Sequence, residues 1–404
     1  MQLSIRGAKE ADLDRLVEVH AACYPDGRTA AQRRSNFVEN PWSEGRKGGL
    51  VDLHVAERGG RIVGHGFGFP LTTYFGGEPV PAVGIASVGV APEARGADIG
   101  ARIVARIEER ARERGAVLAL LHAFRHGFYK KRGYADVTPM HRLECDPRAI
   151  PAAWVAKARR APFRAATAKD VRAVMALHGR AVKRSTGGIE RPATLWKRIF
   201  ANERLHVAVL EAPAVGYVTF ELVQDEPHAR TRLEVQDLVA ESDEARRTLW
   251  GLLGMQAGQV AEIGVEIAQG DPIAFALTDI DGARFGDERV EHALGCLVAG
   301  PMVRMLDVRR ALATRGYAAN GDFDVKTKAP ALRITSRDGH THVARSPKGA
   351  SSVTTDERTL ASMAFGGLGV TSAAQLGLVR GTTEAIRRAH ALLRLPPFVT
   401  LDRF

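Results

Sequence analysis

A chain of 404 residues exceeds what one compact core buries, so two or three domains follow from length alone. With 45% hydrophobic and 25% charged residues and no apolar run near 18 residues, the composition is globular and excludes a helical membrane span. The net charge of +11 arises from 57 Lys and Arg dispersed among 46 Asp and Glu, without a basic stretch interleaved with aromatics. That pattern argues against a nucleic-acid partner and for anionic small molecules.

The opening "MQLSIRGAKEADLDRL" lacks the basic-then-apolar layout of a secretory signal. Cys23, Cys145 and Cys296 are scattered, odd in number and without C-x-x-C spacing. They read as reduced thiols, neither a disulfide frame nor a metal site, and a cytoplasmic protein is expected. "LSIRGAKEADLDRLVEVHAACYPDG" predicts a short strand and then a helix with Leu13, Leu16, Val17, Val19 and His20 on one face. "LHVAERGGRIVGHGFGF" follows as strand, turn and strand.

The stretch "AVGIASVGVAPEARGADIGARIVARI" carries three features in order. Val83, Ile85, Ser87, Val88 and Val90 predict a strand whose backbone can pair with an extended ligand. Pro92 stops it, and Arg95 and Gly96 turn the chain. A helix begins at Ile99, continues through Ile103 and Val104, and offers free N–H groups and a positive dipole end to a pyrophosphate. Asp98 stands at that helix end, where a capping carboxylate would occupy the donors a phosphate needs. The expected arrangement has the Asp98 side chain turned outward, with Arg95 offsetting its charge.

"ECDPRAIPAAWVAKARRAPF" holds three prolines and reads as a linker. Beyond it the opening pattern returns as "FRAATAKDVRAVMALHGRAV", "LHVAVLEAPAVGYVTFEL" and a long helix "DEARRTLWGLLGMQAGQV", so one α/β unit is duplicated. The second copy has no glycine turn before its long helix, only "VAESDEARRTLW", and reads as a scaffold. From about residue 301 the character becomes α+β: a helix over "PMVRMLDVRRALATRGY", short strands turning at "RDGHTH" and "SPKGASS", and the helical end "DERTLASMAFGGL" and "TTEAIRRAHALLRL". The expected domains are 1–150, 151–300 and 301–404.

"V-G-V-A-P-E-A-R-G-A-D-I-G" resembles the acetyl-CoA motif of GNAT acetyltransferases, Arg/Gln-x-x-Gly-x-Gly/Ala after a V-x-V strand. Arg95 and Gly100 fit, and Asp98 replaces the central glycine. "LLHAFRHGFYKKRGYADV" is similar to the next GNAT strand and its F-Y-x-x-x-G-[FY] helix, here Phe128, Tyr129, Gly133 and Tyr134. Over the whole chain, a GNAT domain, a degenerate GNAT repeat, a sterol-carrier-like end and a C-terminal phenylalanine resemble the Eis (enhanced intracellular survival) family.

That resemblance implies tandem α/β GNAT-like domains followed by a sterol-carrier-protein-like α+β domain, acetyl-CoA as co-substrate, and a homo-oligomer, often a hexamer. It implies that Val88, Gly89 and Val90 pair with the pantetheine amides. Arg95, Gly96, Ala97, Asp98, Ile99, Gly100 and Ala101 would hold the pyrophosphate, with Phe124 and Arg125 flanking the reactive arm. Tyr129 would be the general acid for the leaving thiolate, and the C-terminal carboxylate of Phe404 the general base on the amine. A phenol of pKa about 10 suits a thiolate leaving group, whereas an α-carboxyl of about 3.5 needs burial to become a useful base.

His122 and His126 lie near this site as candidate proton shuttles, while Tyr134 is expected to pack. Lys130, Lys131 and Arg132 read as a solvated helix end or a patch for the cofactor's 3′-phosphate. The family acetylates aminoglycosides and lysine side chains. Arg403 beside the terminal base would lower its pKa and repel polycations, and Asp26 is the one obvious acid, so the expected acceptor is a primary amine. Two other readings compete: an inactive GNAT scaffold, argued from Asp98, and a lipid carrier using "LASMAFGGLGV" and "AIRRAHALLRL".

Overall fold

The computed structural model describes residues 2–404 apart from 44–48, 211–214, 225, 227–229, 279–283, 286–289 and 292. The first unit is built on β1 (Leu3–Gly7), β2 (Leu53–Arg58), β3 (Arg61–Phe75), β4 (Glu78–Val90), β5 (Leu118–Leu121) and β6 (Ala135–Asp136). Its helices are α1 (Leu13–Cys23), α2 (Ala30–Val38), α3 (Ile99–Glu113) and the short α4 (His126–Lys130). Neighbours from β1 to β4 are antiparallel, and β4 and β5 run parallel with α3 as the crossover between them. On α1, Leu13, Leu16, Val19 and His20 are buried as the periodicity predicts, and Val17 is half-buried.

The alternating glycines of "GHGFGF" explain how α3 docks. A Cβ on Gly68 would lie 2.5 Å from Ile107 Cγ2, and one on Gly66 would lie 2.9 Å from Ile103 Cγ2. Bare backbone on that face of β3 lets the apolar stripe of α3 lie directly on the sheet.

The second unit repeats the pattern with β8 (Phe163–Ala165), β10 (Leu205–Leu210), β11 (Gly216–Val223), β12 (Arg232–Ala240) and β13 (Glu262–Ile267). α6 (Val171–Arg184), α7 (Ala193–Ala201) and α8 (Asp243–Gly254) cover it. The turn expected between β10 and β11 falls on 211–214, outside the described residues. β12 and β13 are parallel, matching β4 and β5 of the first copy.

The two sheets exchange strands, so the sequence boundaries at 150 and 300 do not separate them. β7 (Met140–Cys145) leaves the first copy and pairs with β13, Leu143 opposite Val265. β16 (Cys296–Val298) extends the same edge. β9 (Gly188–Ile189) pairs with β3, and a two-stranded ribbon joins β14 (Arg284–Phe285) to β15 (Val290–Glu291). β17 (Met302–Met305) then returns to the first sheet between β5 and β6.

Two sequence expectations are corrected. The helix expected from residue 301 splits into β17 and α9 (Val308–Thr314), capped by Asp307 on the Arg310 N–H at 3.0 Å. Pairing with Leu118–Leu121 buries Met302, Val303 and Met305 on a strand, and this overrides the helical periodicity. The proline-rich linker contains α5 (Ala152–Ala158), with Pro147 opening a 3-10 turn and Pro151 as the N-cap, positions that need no intrahelical N–H donor. Gly251 of α8 allows the contact: a Cβ there would lie 2.2 Å from the Trp154 carbonyl oxygen.

The third unit is a four-stranded sheet, β18 (Gly321–Lys326), β19 (Leu332–Arg337), β20 (His340–Arg345) and β21 (Ser352–Thr354), with α10 (Glu357–Phe365), α11 (Val370–Gln375) and α12 (Thr383–Leu393). It shares one continuous core with the first unit, where Phe75 packs at 5.0 Å against Phe365 and at 6.3 Å against Phe398. The tail then bridges to the second unit, Val399 N–H to Thr186 O at 2.9 Å, before it ends in the first.

Candidate active site

Pairing of β4 with β5 ends at Ile85 opposite Leu121, so residues 86–90 of β4 have no strand on that side. The opposite edge is irregular there: the β3 register shifts between His65 and Phe67, and Ser87 takes a left-handed φ of 48°. Such a bulge splays the strand away from β5 and leaves an open-sided backbone at 88–90. The carbonyl of Val88 accepts the Tyr24 hydroxyl at 3.0 Å, and that of Val90 accepts Cys23 Sγ and Arg95 Nε, each at 3.3 Å. Gly89 sits over fully buried His65, which stacks on His20 at 5.4 Å; burial pushes His65 down to about 3, so the ring is neutral.

The turn after β4 delivers α3 with its first N–H groups uncapped. Asp98 occupies the N-cap with φ 54° and no side-chain capping bond. Its carboxylate instead meets Arg132 at 2.6 Å. The outward orientation matches expectation, but the compensating charge is Arg132; Arg95 is spent on Val90 O. Arg132 also stacks 3.7 Å over Phe128, so it is neither free solvated helix end nor an open phosphate patch. A Cβ on Gly100 would lie 3.6 Å from Phe128 and 3.7 Å from Val90, which places the turn, strand and α4 around one space.

Tyr129 is buried on α4 against Phe128 and Tyr134, and burial holds its phenol above the ordinary pKa. Tyr134 packs, as expected: fully buried, it donates to Glu108 of α3 at 2.8 Å, and Arg304 of β17 neutralises the same carboxylate at 2.7 Å. Phe124 and Arg125 follow β5, with the Phe124 ring 77% exposed. His126 is held by Asp136 at 2.8 Å, which Lys130 also pairs at 2.6 Å.

Phe404 lies further down β4, where the strands begin to part. A Cβ on Gly84 would lie 2.7 Å from its ring, and its neighbours are Trp42 at 6.2 Å and His122 at 5.5 Å between ring centres. No hydrogen bond or ring contact among the described residues joins Tyr129 to Phe404. Arg403 turns away to Glu266 at 2.6 Å, so its charge is already offset, contrary to the repulsion expected from its position in sequence. Asp26, the obvious acid, is likewise neutralised by Arg33 at 2.6 Å. A cavity of about 430 Å3 beside the terminus is lined by Trp42, Arg142, Arg191, Glu234, Glu266 and Asp402.

Several of these residues escaped the sequence reading. Tyr24 was visible in "CYPDG" only as a neighbour of an acid, and Trp42 gave no signal. Asp402, an acid inside an apolar tail, was the one available clue to a buried partner.

A sheet split by a bulge at its fourth strand, facing a bare helix start, defines a GNAT-type acyltransferase fold. An acetyltransferase (GNAT) domain family matches residues 4–137, a second GNAT domain family matches 187–304, and a sterol carrier protein domain matches 308–399. N-acetyltransferase Eis of Mycobacterium tuberculosis (strain ATCC 25177 / H37Ra) is 27% identical over 293 residues, 68% of each chain. Among solved structures, a GCN5-related N-acetyltransferase from Anabaena variabilis ATCC 29413 superposes with TM-score 0.84 at 17% identity, and Eis1 from Mycobacterium abscessus with 0.76 at 23%, each over the full length of both chains. The chain carries two GNAT acetyltransferase domains and a sterol-carrier-like third domain, is similar to the Eis N-acetyltransferases, and is an acetyltransferase enzyme.

Proposed function

We propose that the enzyme moves an acetyl group from acetyl-CoA to a primary amine by direct attack, with Tyr129 as general acid and the Phe404 carboxylate as general base. The observation that carries this reading is the uncapped start of α3 beside the edge of 88–90 that β5 leaves uncovered, since Asp98 is drawn off by Arg132. Those donors suit a diphosphate, and the strand edge suits the amides of a pantetheine arm. In this reading Val88, Gly89 and Val90 hold the arm and Arg95, Gly96, Ala97, Asp98, Ile99, Gly100 and Ala101 surround the diphosphate. Phe124 and Arg125 flank the reacting end.

Burial keeps the Tyr129 hydroxyl protonated, as a donor to the departing sulfur must be. The amine nitrogen bonds to the acetyl carbon, the carbon–sulfur bond breaks, the amine proton passes to the Phe404 carboxylate and the Tyr129 proton to sulfur. Burial lowers the pKa of His122, and its Nε2–H donates to the Asp402 carbonyl at 3.3 Å, which supports the tail.

The acids of the 430 Å3 cavity are matched by arginines: Glu234 by Arg142 at 2.6 Å, Glu266 by Arg403 at 2.6 Å and Asp402 by Arg191 at 2.6 Å. Read as the acceptor entrance because Asp402 and Arg403 line it next to the proposed base, this charge-balanced wall favours an isolated primary amine or lysine side chain over a polycation. Carried over from the family are a homo-oligomeric, hexameric assembly and a cytoplasmic setting; no helix among the described residues is long and apolar enough to cross a membrane. Thiol release from acetyl-CoA, measured across a panel of amines, tests the proposal. Amine-dependent release supports it; no release, or release independent of amine, favours the inactive scaffold.

A further inference from the structure

The last three residues are gripped by both acetyltransferase units. The buried Asp402 carboxylate accepts Arg191 Nε at 2.6 Å, and the same guanidinium spans both oxygens of Asp237 on β12 at 2.6 and 2.9 Å. All three side chains are at most 6% exposed, and Trp196 lies 5.1 Å from the guanidinium. From the first unit, His122 holds the Asp402 carbonyl at 3.3 Å and Trp42 Nε1 donates to the Arg403 carbonyl at 3.2 Å. Arg403 is tied to Glu266 of β13. Only two residues, about 7 Å of extended chain, separate Asp402 from the end of the polypeptide. Fixing Asp402 therefore fixes the reach of the terminal carboxylate.

We propose that Arg191, acting through Asp402, is a positioning residue that sets the register of the Phe404 carboxylate in the acceptor site. This rests on the reading of that carboxylate as the base. A buried ion pair contributes little more to stability than an apolar contact of the same size. It does direct the terminus, because a guanidinium whose two terminal nitrogens are fixed by Asp237 presents its Nε–H to Asp402 in one direction.

The clamp sets one cation between two buried carboxylates. The groups facing Asp402 are Arg191, Asp237 on β12, Tyr217 on β11 and His122 on the first unit, with His178 of α6 behind Asp237. Burial, with Asp237 reinforcing it, holds Asp402 above the ordinary carboxylate range. Protonation of Asp402 in mild acid leaves one oxygen to accept Arg191 Nε–H, so the charge is lost while the link to the tail is kept.

The test compares three full-length or near-full-length proteins, Asp402→Ala, Asp402→Asn and a chain ending at Arg403, by steady-state thiol release normalised to folded protein by circular dichroism. Asp402→Ala, which cuts the link, is expected to lower kcat tenfold or more with the acetyl-CoA KM within twofold. Asp402→Asn keeps an oxygen for Arg191 Nε–H, and it is expected to recover kcat to within about threefold of the natural chain at pH 8. An inactive chain ending at Arg403 alongside an Asp402→Ala enzyme of natural kcat overturns the clamp and leaves the terminal base standing. If Asp402→Ala does not fold, Asp402→Leu, which removes the acceptor but fills the space, takes its place, and natural kcat in that variant overturns the clamp. Natural activity in the chain ending at Arg403 overturns both.

Discussion

Arg132, two residues past the end of α4, reaches back to Asp98 at the start of α3 and meets its carboxylate at 2.6 Å. This one contact lets the turn proposed to hold the diphosphate tolerate an acid where a glycine is expected. Asp98→Gly removes a left-handed non-glycine residue and a negative charge at a helix N-terminus, and should tighten acetyl-CoA binding by about 1 kcal/mol or more. Arg132→Met, which strands that charge, should weaken it. Titration calorimetry reads both; equal or weaker binding by Asp98→Gly contradicts the account.

Tyr129→Phe keeps the packing against Phe128 and Tyr134 and deletes the hydroxyl proposed as proton donor. A fall in kcat of about 100-fold is expected with little change in melting temperature. Because burial raises the phenol pKa, the natural enzyme should show no loss of activity from Tyr129 ionisation below about pH 10. A basic limb near neutrality that vanishes in Tyr129→Phe would argue that it acts in another protonation state.

Arg315 is 1% exposed, and its nearest acceptors are backbone carbonyls, not carboxylates. It donates to Ala364 O at 2.5 Å near the end of α10, to Leu393 O at 3.4 Å at the end of α12 and to Gly316 O at 3.1 Å. Two negative helix ends thus substitute for a counter-ion. Arg315→Met should cost about 3 kcal/mol by orphaning these carbonyls, measured by urea denaturation. An unchanged midpoint would show that the helix ends are satisfied otherwise.

Asp402 links stability to pH in the opposite sense from an ordinary ion-paired acid. Its pKa is about 6 in the folded chain and about 3.9 when unfolded, so folding takes up a proton between these values. Its contribution is full below about pH 4 and lost as pH rises through 6. Asp402→Asn, always neutral, should therefore gain melting temperature relative to the natural chain more at pH 8 than at pH 4.5. Asp237, held low by Arg191, is present in both proteins and cancels from the comparison.

The features read correctly from sequence are local ones. The strand, Pro92, the Arg95–Gly96 turn and the start of α3 lie within one short stretch, and their order alone specifies the geometry. Long-range pairing was invisible: β17 reads as helix until Leu118–Leu121 claims it, and β7 reads as part of the first copy until β13 does. The charge on Asp98 is answered 34 residues downstream, and Arg191 meets Asp402 across 211. No local pattern reports such partners, because tertiary burial and not spacing selects them.

The central claim is that the chain's last carboxylate takes the amine proton. Thiol release by the intact enzyme against a chain ending at Arg403, with acetyl-CoA affinity measured in parallel, tests it most directly. The account predicts a loss of about 100-fold or more in kcat with binding preserved. Activity within a few-fold of the intact enzyme would contradict it.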